Sequence, residues 1–383
     1  MTAAPVGPAP LRVVIAPDSF KGTLSAADAA RAIAAGWASV RPADELRLLP
    51  MADGGEGTLD AFALALPGGI RMPVTVQGPD NESVQAEWLL LPGTPGSPGG
   101  TAVVELANTS GITLLDPLRP LDAHTLGFGQ AIAAALDHGV HRLLLALGGS
   151  SSSDGGAGAL TALGAYFTDA TGRPVRLGNR GLGQLARVRL ETLRALPPGG
   201  AQILSDVSNP LLGPLGAAAV FGPQKGASPE QVEGIESGLR RLARLLPGGA
   251  ELPGAGAAGG TGFGLLHWGA TITPGASAVG QAMGVPQAVA AASVVITGEG
   301  RFDSQSAAGK VPSYLAGLAA DAGIPALLVA GAIEAPTVDF ADALSLGEVA
   351  GSPGAALAEP DRWLRASGAR LARSVTDGHP GVH

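Results

Sequence analysis

Five times along this chain, an apolar run that reads as a strand gives way to a loop of glycine, hydroxyl and acidic residues. The first two loops are Pro17-Asp18-Ser19-Phe20-Lys21 and Ala52-Asp53-Gly54-Gly55-Glu56-Gly57-Thr58. The third is Gly148-Gly149-Ser150-Ser151-Ser152-Ser153-Asp154-Gly155-Gly156. The last two are Ser205-Asp206-Val207-Ser208-Asn209-Pro210 and Gly298-Glu299-Gly300-Arg301-Phe302-Asp303. Strand, polar loop and helix in that order build α/β folds, with the loops at the carboxyl ends of the strands. Glycine lets backbone N–H groups turn toward an anion, and nearby carboxylates can hold Mg²⁺ or a hydroxyl. Any one of these loops reads equally as an ordinary turn. Five together point to phosphoryl transfer.

The segments between the loops divide the chain. Leu11–Ala16 reads as a strand. Ser25, with Asp28 three residues on, starts a helix whose buried face is Ala29, Ile33, Trp37 and Val40. Leu46–Leu49 is a second strand, with a helix from about Thr58. Near Gly68 the rhythm changes: Met72–Val76, Val84–Leu91 and Ala102–Leu106 read as strands joined by turns, with Pro92–Gly100 an exposed loop. Helix formers return at Gln130–His138, Leu143–Leu147 is the strand before the serine loop, and Ala157–Leu163 is the helix after it. Ser228-Pro229-Glu230-Gln231 combines an N-cap Ser, Pro at N1 and Gln at N3. Val232, Ile235, Leu239, Leu242 and Leu246 form the apolar stripe of the helix it opens. The C-terminal part returns to α/β, with a strand at Val294–Thr297, a glycine loop, a helix after Pro312 and a strand at Ala326–Val329.

At 383 residues, two domains are the natural division. The expected fold is α/β in two domains. Residues 1–70 and 290–383 form a discontinuous Rossmann-like or flavodoxin-like parallel-sheet domain, and 71–289 an inserted mixed α/β domain.

Several function classes are disfavoured by content alone. There is no cysteine, which removes disulfides, thiolate catalysis and Cys-ligated zinc or iron–sulfur sites. A formal net charge of -8, with 24 Lys and Arg spread along the chain, argues against a nucleic-acid partner. The histidines lack an HExxH pattern, and His124, His138 and His141 read as surface or second-layer residues. Met1–Pro10 has no basic region followed by an apolar core, and no apolar run reaches membrane-spanning length. A soluble, cytoplasmic protein without a membrane partner is the expectation. Gly254, Gly256 and Gly259 spell G-x-G-x-x-G but follow a polar turn, which weakens them as a dinucleotide fingerprint. The G-x-x-x-x-G-K-[ST] motif and the protein-kinase catalytic loops are absent from the sequence.

Each loop has a chemical reading and a plainer one. Asp18, Ser19 and Lys21 place a carboxylate, a hydroxyl and an ammonium before a helix, whose unpaired N–H groups suit an anion. Alternatively Asp18 makes a turn and Lys21 faces solvent. Asp53 and Glu56 can approach one cation or one polyol, or Glu56 simply enriches a helix's first turn. Ser150–Asp154 is either a bowl for a phosphate or a flexible surface loop. Asp206 can orient and deprotonate a substrate hydroxyl, or form an Asx turn. Lys225, within Phe221-Gly222-Pro223-Gln224-Lys225-Gly226, can neutralise a transferring phosphoryl group or a substrate carboxylate. Glu299, Arg301, Asp303 and Lys310 form a mixed-charge cluster, as a ligand site or a salt-bridged surface loop.

In these segments, with Leu24-Ser25-Ala26, Asn209-Pro210-Leu211, Gly226-Ala227 and Pro253–Gly260, the chain resembles the bacterial glycerate kinase family, type 1. The resemblance implies transfer of the γ-phosphoryl group of ATP to D-glycerate with Mg²⁺. The product it implies is 2-phosphoglycerate, although the 3-product is assigned to some members. It also implies an active site in the cleft between the two domains, and a monomer or homodimer is expected. Carried onto this chain, the catalytic residues are Asp206 as base, with Lys21 and Lys225. Substrate falls to Asp18, Ser19, Asp53, Glu56, Arg301 and Asn209. Nucleotide falls to Gly148, Gly149, Ser150, Ser153, Asp154, Gly298, Glu299 and Lys310, and metal to Asp53, Glu299 and Asp303. Relatives commonly read Ser-Ala-Thr-Asn-Asp where this chain has Ser150–Asp154, so a hydroxyl at Ser153 stands for an amide. Ser205 replaces a frequent Cys. The competing readings are a kinase of another small hydroxy acid or polyol, and a non-catalytic module binding a nucleotide or sugar acid.

Overall fold

The computed structural model describes residues 9–20, 23–66, 68–304, 306 and 310–376. The chain divides into two compact units: residues up to Asp53 together with those from Ala276, and the contiguous segment Gly54–Gly275. Strands in chain order are β1 (Arg12–Ile15), β2 (Glu45–Leu48), β3 (Ile70–Gln77), β4 (Ser83–Leu91), β5 (Thr101–Glu105), β6 (Arg142–Ala146) and β7 (Tyr166–Thr168). They continue with β8 (Arg187–Arg189), β9 (Ala201–Leu204), β10 (Thr271–Thr273), β11 (Val294–Phe302), β12 (Ala326–Ile333) and β13 (Asp342–Ser345).

In the discontinuous unit, the described strands form a parallel sheet in the order β2-β1-β11-β12-β13. Central strands such as β1 and β12 are near-continuous apolar runs, as burial on both faces requires. Val13, Ile15, Val294, Ile296, Leu327 and Val329 pack with Ile33 and Trp37 of the helix Ala26–Ala38. That helix starts as expected, with the Ser25 side chain accepting from the Asp28 amide. The strand order is the flavodoxin-like one. The chain leaves β1 in one direction and β11 in the other, which puts a topological switch point outside their carboxyl ends.

The contiguous unit carries a mixed sheet ordered β10-β9-β6-β5-β4-β3. The strands β5, β6, β9 and β10 run parallel, whereas β3 and β4 pair antiparallel and β4 pairs antiparallel with β5. Its core includes Trp88, Phe128, Leu143, Leu145, Ile203 and Phe263. The helix Pro229–Leu245 opens on a complete capping box between Ser228 and Gln231, and it buries Ile235, Leu239 and Leu242. No described helix is long and apolar enough to cross a membrane.

Two expectations need adjustment. The units divide at Asp53/Gly54 and Gly275/Ala276 rather than near residues 70 and 290. The reason at the first boundary is that the helix Thr58–Ala65 packs on β4 and β5, and its Leu59 amide bonds to Glu105. At the second, the helix Val285–Ala290 packs on the helix Val311–Ala322. Gly298–Phe302 was also expected as a loop, but it continues β11 and pairs with β12 from Val329 to Ile333. The glycine explains how: a Cβ on Gly298 would stand 2.2 Å from the Val329 carbonyl oxygen.

Candidate active site

In the contiguous unit, Glu105 of β5 is in register with Ala146 of β6, and Ala146 with Leu204 of β9. The loops that follow these strands therefore leave one edge of the sheet side by side. They are the Gly148–Gly156 loop after β6 and the Asp206 loop after β9. The Gly54–Gly57 loop is packed onto both. The Gly148 amide donates to the Gly54 carbonyl at 3.0 Å. A Cβ on Gly148 would lie 2.3 Å from the Gly55 Cα, and one on Gly54 would lie 2.4 Å from the Leu204 carbonyl oxygen. Backbones this close exclude any side chain, so glycine at these positions brings Glu56 to the edge that carries Gly148 and Asp206. Glu56 itself is exposed.

The serine loop is an internal structure rather than a surface loop, for Ser150, Ser151, Ser152, Ser153 and Asp154 are all buried. Ser151 Oγ donates to the Ser110 carbonyl at 2.8 Å, and the hydroxyls of Ser150 and Ser152 lie 3.1 Å apart. The Ser153 carbonyl accepts from Asn179 Nδ2 at 2.8 Å, while Ser153 Oγ is buried without a hydrogen-bond partner. Asp154 Oδ2 accepts from the amides of Thr125 and Gly158 and from Thr125 Oγ1, and Oδ1 accepts from the Gly156 amide. This carboxylate ties the loop to the helix Ala157–Ala162 and to Thr125.

The Lys225 side chain is buried under the same loop, and its Nζ donates to the Ser152 carbonyl. Burial pulls its pKa down to about 7, with the Asp154 charge acting in the opposite sense. His124 is buried as well. Burial lowers its pKa, and its Nε2 lies 3.2 Å from Asn81 Oδ1, in keeping with a second-layer residue. Asp206 is half-buried, and its Oδ1 accepts from the Gly275 amide at 2.9 Å. Asn209 spends its Nδ2 on the Leu215 carbonyl at 2.8 Å, which closes the loop after Asp206.

In the discontinuous unit the other candidates gather at the switch point. The Asp18 amide donates to the Gly298 carbonyl at 2.8 Å, and Thr297 Oγ1 donates to the Ala16 carbonyl at 3.0 Å. Asp18 is buried, and its Oδ1 accepts from the Ser19 amide at 2.6 Å. Glu299 is 6% exposed and its Oε1 has no hydrogen-bond partner. Burial pushes its pKa up to about 7; Ser306 and Lys310 counter this, and the charges of Asp53 and Asp303 reinforce it. Asp303 Oδ1 accepts from the Ser306 amide at 3.2 Å. Among the described residues, no three His, Asp or Glu side chains stand so as to hold one metal ion, so Asp53, Glu299 and Asp303 do not form such a set. Arg301 turns outward: its side chain is 65% exposed, and its guanidinium faces Glu334 at 3.6 Å. Lys310 precedes the helix Val311–Ala322, and Lys21 lies outside the described residues.

Two residues of the contiguous unit are missing from the sequence-derived set. Glu105 ends β5 as a buried carboxyl, and Asn179 joins the Ser153 carbonyl to that of Ile235. A lone Glu inside the apolar run Ala102–Leu106 was the available signal for the first; nothing local marks the second.

A sequence model of the glycerate kinase family matches residues 13–376. A glycerate kinase of Halalkalibacterium halodurans is 41% identical over 330 residues, covering 84% of this chain and 85% of the relative. A glycerate 2-kinase of Escherichia coli (strain K12) is 38% identical over 332 residues, covering 84% and 86%. Among solved structures, a protein assigned as glycerate kinase 2 from Salmonella typhimurium LT2 superposes with a TM-score of 0.79. It is 36% identical, and the match covers 97% of this chain and 99% of that one.

Proposed function

Because this chain belongs to the glycerate kinase family and is a kinase of glycerate, we propose that it transfers the γ-phosphoryl group of ATP to D-glycerate, giving 2-phosphoglycerate. The observation that carries this reading is the shared sheet edge of the contiguous unit, where the Asp206, Gly148 and Glu56 loops lie together.

Asp206 takes the proton from the C2 hydroxyl as that oxygen attacks the γ-phosphorus. The bond from the γ-phosphorus to the β,γ-bridging oxygen breaks, and ADP leaves with the electron pair. The Gly275 N–H on Oδ1 fixes the orientation of this carboxylate. Glu56 and Asp18 hold the glycerate hydroxyls, Ser19 assists, and Lys21 meets the phosphate or the glycerate carboxylate. Gly148, Gly149 and Ser150 supply the nucleotide loop. Lys225 sets that loop from beneath through the Ser152 carbonyl. The orphaned, buried Glu299 Oε1 fits a cation. Glu299 with Asp53 would hold the Mg²⁺ of the nucleotide, whose charge neutralises the phosphates. Two carboxylates suffice, since Mg²⁺ commonly takes its remaining ligands from phosphate and water.

The test is a Mg²⁺/ATP assay with D-glycerate, with the product resolved by ³¹P NMR, beside Asp206→Asn. We expect 2-phosphoglycerate from the wild type and a loss of roughly 10³-fold in kcat in the variant, the scale of a lost general base. Phosphorylation at C3 would overturn the regiochemistry. Full activity in Asp206→Asn would remove Asp206 as base, and turnover only with other hydroxy acids or polyols would overturn the substrate.

A further inference from the structure

Glu105 has no part in the assignments above, yet it is 5% exposed at the carboxyl end of β5, level with the ends of β6 and β9. Its Oε2 accepts from the Leu59 amide at 3.2 Å, and the Gly57 amide also favours the charged carboxylate. These amides open the helix Thr58–Ala65. The N-cap of that helix is Gly57, at φ +89°, which has no side chain to offer. A serine or aspartate at the N-cap would satisfy such donors locally and without burial. Here the cap comes instead from a strand 46 residues away. The consequence is that Gly54, Gly55 and Gly57 stay bare around Glu56, so the loop can press against Gly148 and Leu204 while its far end is pinned.

We propose that Glu105 is a positioning residue of the glycerate site, which holds the Leu59 amide and with it the start of the helix Thr58–Ala65, so that Glu56 is presented to the substrate. The inference rests on the reading of Glu56 as a substrate contact. Retaining the carboxyl is costly. Burial pushes its pKa up to about 7, and the charges of Asp60 and Glu56 add to the rise. Asp60 is partly offset by Arg71, which it shares with Glu87.

A double-mutant cycle tests this in the intact protein, with kcat and KM measured for D-glycerate and for ATP. The variants are Glu105→Gln, Glu56→Gln and their combination. Glu105→Gln should raise the KM for glycerate by about tenfold while leaving that for ATP within about twofold, the pattern of a lost substrate contact. The combined variant should be no worse than Glu56→Gln alone, because both changes remove one interaction. Multiplying effects in the combined variant, or equal losses toward both substrates, would make Glu105 a structural cap only and overturn the proposal. Wild-type kinetics in Glu56→Gln would sink the reading of Glu56 and this inference with it. If Glu105→Gln does not fold, Glu105→Asp keeps the charge, shortens its reach, and serves in the same cycle.

Discussion

Lys225 shows what a single buried charge does to a loop. Its ammonium is held by a carbonyl of the serine loop, and burial has moved its pKa from the usual 10.5 down to about 7. The unfolded chain keeps this proton up to about pH 10.5, whereas the folded chain gives it up near pH 7. Between those values the unfolded state binds more protons, so stability gained from this group rises with pH. Below pH 7 the full cost of the buried charge is present. Lys225→Met should flatten that rise between pH 7 and 10.5, read as the difference between wild-type and variant urea midpoints across pH. Phosphoryl transfer should fall in the same variant, since the Ser152 carbonyl loses its donor. Parallel stability curves for the two proteins would reject this account of Lys225.

At the scale of elements, what could be read from sequence was what is local. Ser25 with Asp28, and Ser228 with Gln231, are caps whose donors and acceptors lie three residues apart, and both form. The strand ends carrying Asp18, Gly148 and Asp206 were legible because apolar runs stop there. The continuation of β11 through Gly298 was not, because it depends on pairing with β12, far along the chain. Glu105 and Asn179 escaped for the same reason, their partners being 46 and 26 or more residues away. Packing by itself requires glycine at 298, because a Cβ there would stand 2.2 Å from the Val329 carbonyl oxygen. Gly298→Ala should force β11 from β12 and cost about 3 kcal/mol, at the upper end for overpacking a core. Urea denaturation measures it, and an unchanged midpoint would mean the sheet absorbs the methyl group.

For the whole molecule, the division at Gly54 and Gly275 makes one unit a single uninterrupted stretch with its own core of Trp88, Phe128 and Phe263. Residues 54–275 expressed alone should melt cooperatively and give a dispersed amide spectrum. The fragment should not phosphorylate glycerate, because Asp18, Asp53 and Glu299, which we propose as substrate and metal contacts, belong to the other unit. A fragment that is molten would show that its fold depends on the rest of the chain. One bond inside this unit also constrains how such proteins can diverge. Asp206 Oδ1 is bonded to the amide of Gly275, the residue at which the chain returns to the discontinuous unit. Recombination that cut between them would leave the orientation of Asp206 to an incoming segment, which must bring its own backbone amide to the same place. Crossovers outside 206–275 leave the pair intact, so lineages built on this plan should exchange the first part of the insert more freely than the stretch between Asp206 and Gly275.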